Sequence, residues 1–84
     1  MKTTDVVAYN LKKIRTKNLI SQENLAIDAG VARTYVSRIE RGLENCTIGV
    51  LEKIASVLNC NIRDFFDDPD GRDIVPLKAG RKPK

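Results

Sequence analysis

Four residues in the segment Ser21–Gly42, SQENLAIDAGVARTYVSRIERG, could do chemistry together: Arg33, Thr34, Ser37 and Arg38. At helical pitch these positions share one face. A guanidinium presents a planar fork of donors that matches guanine O6 and N7, and threonine adds a hydroxyl and a methyl that can meet the thymine methyl. A short helix bearing such a face fits the major groove of duplex DNA. Gln22 stands where a preceding helix would begin, and free backbone N–H groups there favour a phosphate.

Other chemistry has little to work with. The chain contains no histidine, the commonest general base and metal ligand. Its two cysteines, Cys46 and Cys60, form no CxxC. No paired carboxylates with a plausible pocket and no phosphate loop are visible. The expectation is a protein that is not an enzyme, with no metal, no cofactor and no small-molecule ligand.

Several elements must position that face. Thr4 or Asp5 can cap a first helix, with Val7, Leu11 and Ile14 at helical spacing and Asn18 at its end. Leu19 and Ile20 are expected to point into the core. Ser21 can cap a second helix, with Leu25, Ala26 and Ala29 on its inner face. Gly30 follows where a left-handed residue is wanted. A third helix is expected over Arg33–Arg41, with Val36 and Ile39 inward, and Gly42 stops it. Thr47 can cap a fourth helix striped by Ile48, Leu51, Ile54, Ala55 and Leu58. Asn61 can cap a final turn carrying Ile62, Phe65 and Phe66. The pattern predicts an all-α fold: a compact five-helix bundle with a helix-turn-helix at helices 2 and 3. Residues 1–66 form the expected domain. Residues 67–84, DDPDGRDIVPLKAGRKPK, lack periodicity and read as a flexible tail.

Eighty-four residues make one small domain, whose core is marginal, so dimerisation would help. The formal charge of +4, from 15 basic and 11 acidic residues, permits a polyanionic partner without demanding one. Met1-Lys2 leads into no apolar run, so no membrane is expected and the cytoplasm is the expected compartment.

From about Val7 to Phe66 the sequence resembles the lambda-repressor-like helix-turn-helix domain of the Cro/XRE type. Gln22, Ala26, Gly30, Val36, Ile39, the run Glu40-Arg41-Gly42 and the run Asn45-Cys46-Thr47 carry the likeness. Within that family, RTYVSRIERG with a short fourth and fifth helix is most similar to the controller proteins of restriction–modification systems. The resemblance implies a transcriptional regulator acting as a homodimer on a pseudo-palindromic operator in double-stranded DNA. An antitoxin that wraps a protein partner and also binds its own operator is the alternative. Arg33, Thr34, Ser37 and Arg38 match the base-facing positions. Gln22, Tyr35, Arg41, Asn45 and Thr47 match positions that contact phosphates. Arg15 and Glu40 resemble a pair that ties the first helix to the third. Leu58, Ile62, Phe65 and Phe66 are implied at the dimer interface, with Ile62 mainly in the core and Phe65 or Phe66 partly in the seam.

Blander roles stand beside these. Arg38 can pair with Glu44, Tyr35 can be a half-buried packing residue, and Lys12, Lys13, Lys17, Lys53 and Arg63 read as solvated. Ala32 departs from the Ser, Thr or Asp often found before the third helix. An alanine there costs about 1 kcal/mol, unless Thr34 caps a later start.

Overall fold

The computed structural model describes residues 2–68. Met1 and residues 69–84, and with them most of the expected tail, lie outside the described residues. Four α-helices follow in order: α1 (Thr3–Lys17), α2 (Gln22–Ala29), α3 (Arg33–Glu40) and α4 (Ile48–Leu58). A 3₁₀ turn, Ile62–Phe66, stands where a fifth helix was expected. Among the described residues all regular structure is helical.

Three of the expected helix starts are found. Ser21 Oγ accepts from the Asn24 N–H at 3.0 Å, and Thr47 Oγ1 accepts from the Val50 N–H at 3.1 Å. Asn61 and Asp64 close a reciprocal capping box on the 3₁₀ turn. The first helix differs. It starts at Thr3, behind an extended Lys2 that offers no side-chain cap. Asp5 lies inside its first turn, where a carboxylate favours the positive helix end.

All four α-helices end the same way, on a left-handed residue: Leu19 (φ 58°), Gly30 (φ 72°), Gly42 (φ 72°) and Asn59 (φ 56°). In each case the next N–H reaches back five residues to a helix carbonyl, as from Ile20 to Arg15, Val31 to Ala26, Leu43 to Arg38 and Cys60 to Ala55. This overturns the expected place of Leu19. Its backbone is spent on ending α1, so its side chain is thrown outward and is 93% exposed. Ile20 alone packs against the core.

The core draws on every element: Leu11 from α1, Leu25 from α2, Val36 from α3, Ile54 from α4 and Phe65 from the 3₁₀ turn have no solvent exposure. Asn10, buried among them, holds the end of the described chain in place. Its Nδ2 donates to the carbonyls of Phe65 at 3.0 Å and Asp67 at 2.8 Å. A buried amide left unpaired costs about 1–3 kcal/mol, so this side chain fixes where the chain crosses α1.

Candidate nucleic-acid interface

The turn between α2 and α3 is short because its parts are small. Ala26 and Ala29 are buried against the rest of the molecule, and Gly30 reverses the chain in open space, with no heavy atom within 4 Å of where a Cβ would sit. α3 then starts at Arg33. Its preceding residue, Ala32, is extended and provides no cap, so the later start at Thr34 does not occur. Val36 and Ile39 anchor the helix at 0% and 1% exposure. Their burial sets which residues face out. Arg33 and Thr34 are exposed, Ser37 is half-buried beside them, and Arg38 leads away from the same side.

One carboxylate braces three helices. The side chain of Glu40, the last residue of α3, is 3% exposed and accepts from that of Arg15 of α1, which is 12% exposed. Arg15 Nε donates to Oε2 and Nη2 donates to Oε1 at 3.0 Å. Gln22, the first residue of α2, also donates to Oε1 at 3.0 Å. Arg15 Nη1 donates to the Ile20 carbonyl at 2.8 Å, which pins the α1–α2 connection as well. The Arg15–Glu40 pair expected from the sequence is present, and it is larger than expected. Gln22 gives one of its two amide hydrogens to the brace and keeps one for another acceptor.

Arg38 is held differently. Its Nε donates to Glu44 Oε1 at 2.8 Å and its Nη2 donates to the Leu43 carbonyl at 3.1 Å. The alternative reading of Arg38 as a partner of Glu44 therefore describes this state of the chain. Tyr35 packs its ring against the core, with its hydroxyl next to Cys46 at the foot of the α3–α4 loop. Burial first, then the negative charges that Cys46 and Glu44 can carry, push that hydroxyl above the ordinary tyrosine value. Burial likewise raises the Cys46 and Cys60 thiols, with help from Glu44 and Asp64 respectively. Arg41, Asn45 and Thr47 are exposed along one stretch after α3. Thr47 Oγ1 is already an acceptor for α4 and retains its own hydrogen to donate.

The apolar set expected at a dimer seam divides. Leu58 at 3% and Phe65 at 0% exposure lie inside the chain's own core rather than on its surface. Ile62 is half-buried against that core. Phe66 remains, 41% exposed. It lines a cleft of about 250 Å³ with Val7, Cys46, Ile48 and Leu51. Ile48, 62% exposed at the start of α4, is the apolar neighbour that periodicity assigned to the inner stripe instead. The sequence reading also passed over Asn10 and gave Glu44 only a competing part.

Lys12, Lys13, Lys17, Lys53 and Arg63 are exposed, and the Lys13 ammonium lies over the Tyr9 ring, 5.7 Å from its centre. Among the described residues no cluster of acidic and cysteine side chains could hold a metal ion. No described helix is long and apolar enough to cross a membrane.

Comparison with known proteins agrees with this geometry. A helix-turn-helix family model matches residues 11–65. The control protein C.BamHI of Bacillus amyloliquefaciens is 40% identical over 58 residues, which are 68% of this chain and 72% of that protein. The solved structure of the restriction–modification controller protein C.AhdI from Aeromonas hydrophila superposes with a TM-score of 0.73 at 33% identity, covering 75% of this chain and 96% of that one. The transcriptional regulator SinR of Bacillus subtilis is 36% identical over 64 residues, 75% of this chain but only 58% of SinR. A structure of SinR in complex with DNA superposes with a TM-score of 0.70 at 37% identity, covering 73% of this chain and 98% of that one. The chain belongs to this helix-turn-helix family of DNA-binding transcription regulators.

Proposed function

We propose that this regulator binds duplex DNA as a symmetric dimer on a pseudo-palindromic operator, in the manner of a stand-alone controller protein of a restriction–modification system. The observation that carries the reading is the outward face of α3. Arg33 and Thr34 are exposed on a helix that Val36, Ile39 and the Glu40 brace hold in a fixed attitude. Base-edge recognition needs forked donors on a rigid, groove-sized element, because a side chain that wanders cannot discriminate. In this reading Arg33, Thr34, Ser37 and Arg38 meet bases, whereas Gln22, Tyr35, Arg41, Asn45 and Thr47 hold the sugar-phosphate backbone. The controller reading draws support from likeness: C.BamHI is 40% identical to this chain and C.AhdI 33%.

The dimer seam is assigned to Phe66, with Ile62 and Ile48 at its edges. A chain with this small a core has reason to cover an exposed phenylalanine. Two α3 helices related by a twofold axis would then sit about one DNA turn, roughly 34 Å, apart. The folding unit is assigned to residues up to Phe66.

Selection of binding sites from random double-stranded DNA, with sedimentation of the protein alone and on the selected DNA, tests this. The expected result is a motif with twofold symmetry and two protomers per site. Binding without base preference, or a monomer at high micromolar concentration with and without DNA, would refute it. Phe66→Asp should weaken self-association and lower DNA affinity without changing which bases are preferred.

A further inference from the structure

We infer that Glu44 is a positioning residue for base readout: it braces Arg38 so that only the far end of the guanidinium is presented to a guanine. The inference rests on the reading of Arg38 as a base-contacting residue. A guanidinium has five N–H groups. Glu44 takes the Nε–H at 2.8 Å and the Leu43 carbonyl takes one hydrogen of Nη2 at 3.1 Å. Three hydrogens remain: both on Nη1 and one on Nη2. That end carries two parallel donors at the spacing guanine O6 and N7 require.

The brace is built into the backbone. The Leu43 N–H donates to the Arg38 carbonyl at 2.9 Å, so Arg38 holds Leu43 through main chain and side chain at once. The left-handed Gly42 makes this closure possible and delivers Glu44 to the guanidinium. Glu44 is 28% exposed and Arg38 is 51% exposed, so solvent screens the pair and its own contribution to stability is small. Its effect lies elsewhere. A free arginine samples many rotamers and can follow phosphates on any sequence; a braced one has already lost that freedom and offers one edge. Glu44 also brings a negative charge close to the DNA, which disfavours contact that lacks a guanine to engage the fork.

The test compares the full chain with Arg38→Ala, Glu44→Ala and Glu44→Gln, each profiled on a random double-stranded DNA library, with melting curves to confirm folding. Arg38→Ala should erase guanine preference at one position of each half-site. Glu44→Ala should reduce that same preference from about tenfold to about twofold and leave other positions alone. Glu44→Gln, whose carbonyl still accepts the Nε–H, should keep most of it. An unchanged profile for Glu44→Ala alongside a changed one for Arg38→Ala would overturn the inference. So would a uniform gain in affinity with Glu44→Ala and no change in preference, which would make Glu44 a simple electrostatic brake. A profile unchanged by Arg38→Ala would remove Arg38 from the reading set and the inference with it, and the dimeric DNA-binding reading would then stand on Arg33 and Thr34.

Discussion

Glu40→Gln should cost this small domain about 3 kcal/mol, near the low end of what breaking a buried ion pair costs. The structure supplies the reasoning. Three donors, Arg15 Nε, Arg15 Nη2 and Gln22 Nε2, converge on the two carboxylate oxygens of a side chain that is 3% exposed. Glutamine offers one oxygen and a competing NH₂, so at least one donor is orphaned. The Arg15 cation, 12% exposed, also loses its counter-charge. For a domain of this size each kcal/mol shifts the melting temperature by about 4–8 °C, so the expected fall is roughly 12–24 °C. Urea unfolding and thermal melting followed by circular dichroism measure it. The double variant Arg15→Met with Glu40→Met should recover much of the loss, because both charges leave together. It should not recover all of it, since the bond from Arg15 Nη1 to the Ile20 carbonyl also goes. A Glu40→Gln loss below about 1 kcal/mol would mean that water screens the pair like an ordinary surface bridge, and the brace would then not fix α3.

Leu19→Asn should stabilise the fold by about 0.5–1 kcal/mol, because asparagine tolerates the left-handed backbone and gives up no buried surface; a loss on urea unfolding would show that the exposed leucine makes a contact. Gly42→Ala and Gly30→Ala should each cost about 1–2 kcal/mol from their positive φ, the Asp5 Oδ1 that lies 2.6 Å from the new Cβ at position 42 being free to swing aside; a loss of several kcal/mol for Gly42→Ala alone on urea unfolding would show that Asp5 cannot move. Cys46 should alkylate more slowly in the folded chain than in urea at neutral pH. Its raised pKa lowers the thiolate fraction, and the pH–rate midpoint should lie above the ordinary thiol value. Ending the chain at Asp68 should leave the melting temperature and the preferred site unchanged while making DNA binding less salt-dependent, since Lys78, Arg81, Lys82 and Lys84 leave with the deleted segment; a large loss of stability would move the domain boundary beyond Phe66.

Much of the fold was legible because local signals agreed. Ser21, Thr47 and Asn61 are short polar residues placed just before apolar stripes, and each starts an element where its chemistry predicts. Gly30 and Gly42 could be read as left-handed because glycine reaches that region without strain. Leu19 and Asn59 occupy the same conformation, and the leucine could not be read that way. Its residue type argues for the core, and the requirement to end α1 overrode it. The face of α3 was legible for a similar reason: the burial of Val36 and Ile39 decides by periodicity what points outward.

The reach of long side chains was the part left open. Arg15 finds Glu40 across 25 residues, and Arg38 finds Glu44 across 6. Residue types show that either arginine could have taken an acid, and several acids lie within reach along the sequence. The choice is made by helix ends. The left-handed turn at Gly42 folds the chain back on the end of α3, which brings Glu44 to Arg38. The same turn holds Gly42 at a positive φ, which glycine adopts without strain. Glu40 is turned inside, facing Arg15, because it lies four positions after the fully buried Val36 and so shares its face of α3. Two glutamates four residues apart thus acquire opposite tasks. The one whose side chain is almost out of solvent sets where the helix lies, and the partly exposed one sets how a single arginine leaves it. A residue list cannot separate those tasks, because burial divides them, and burial follows from how α1 crosses α3.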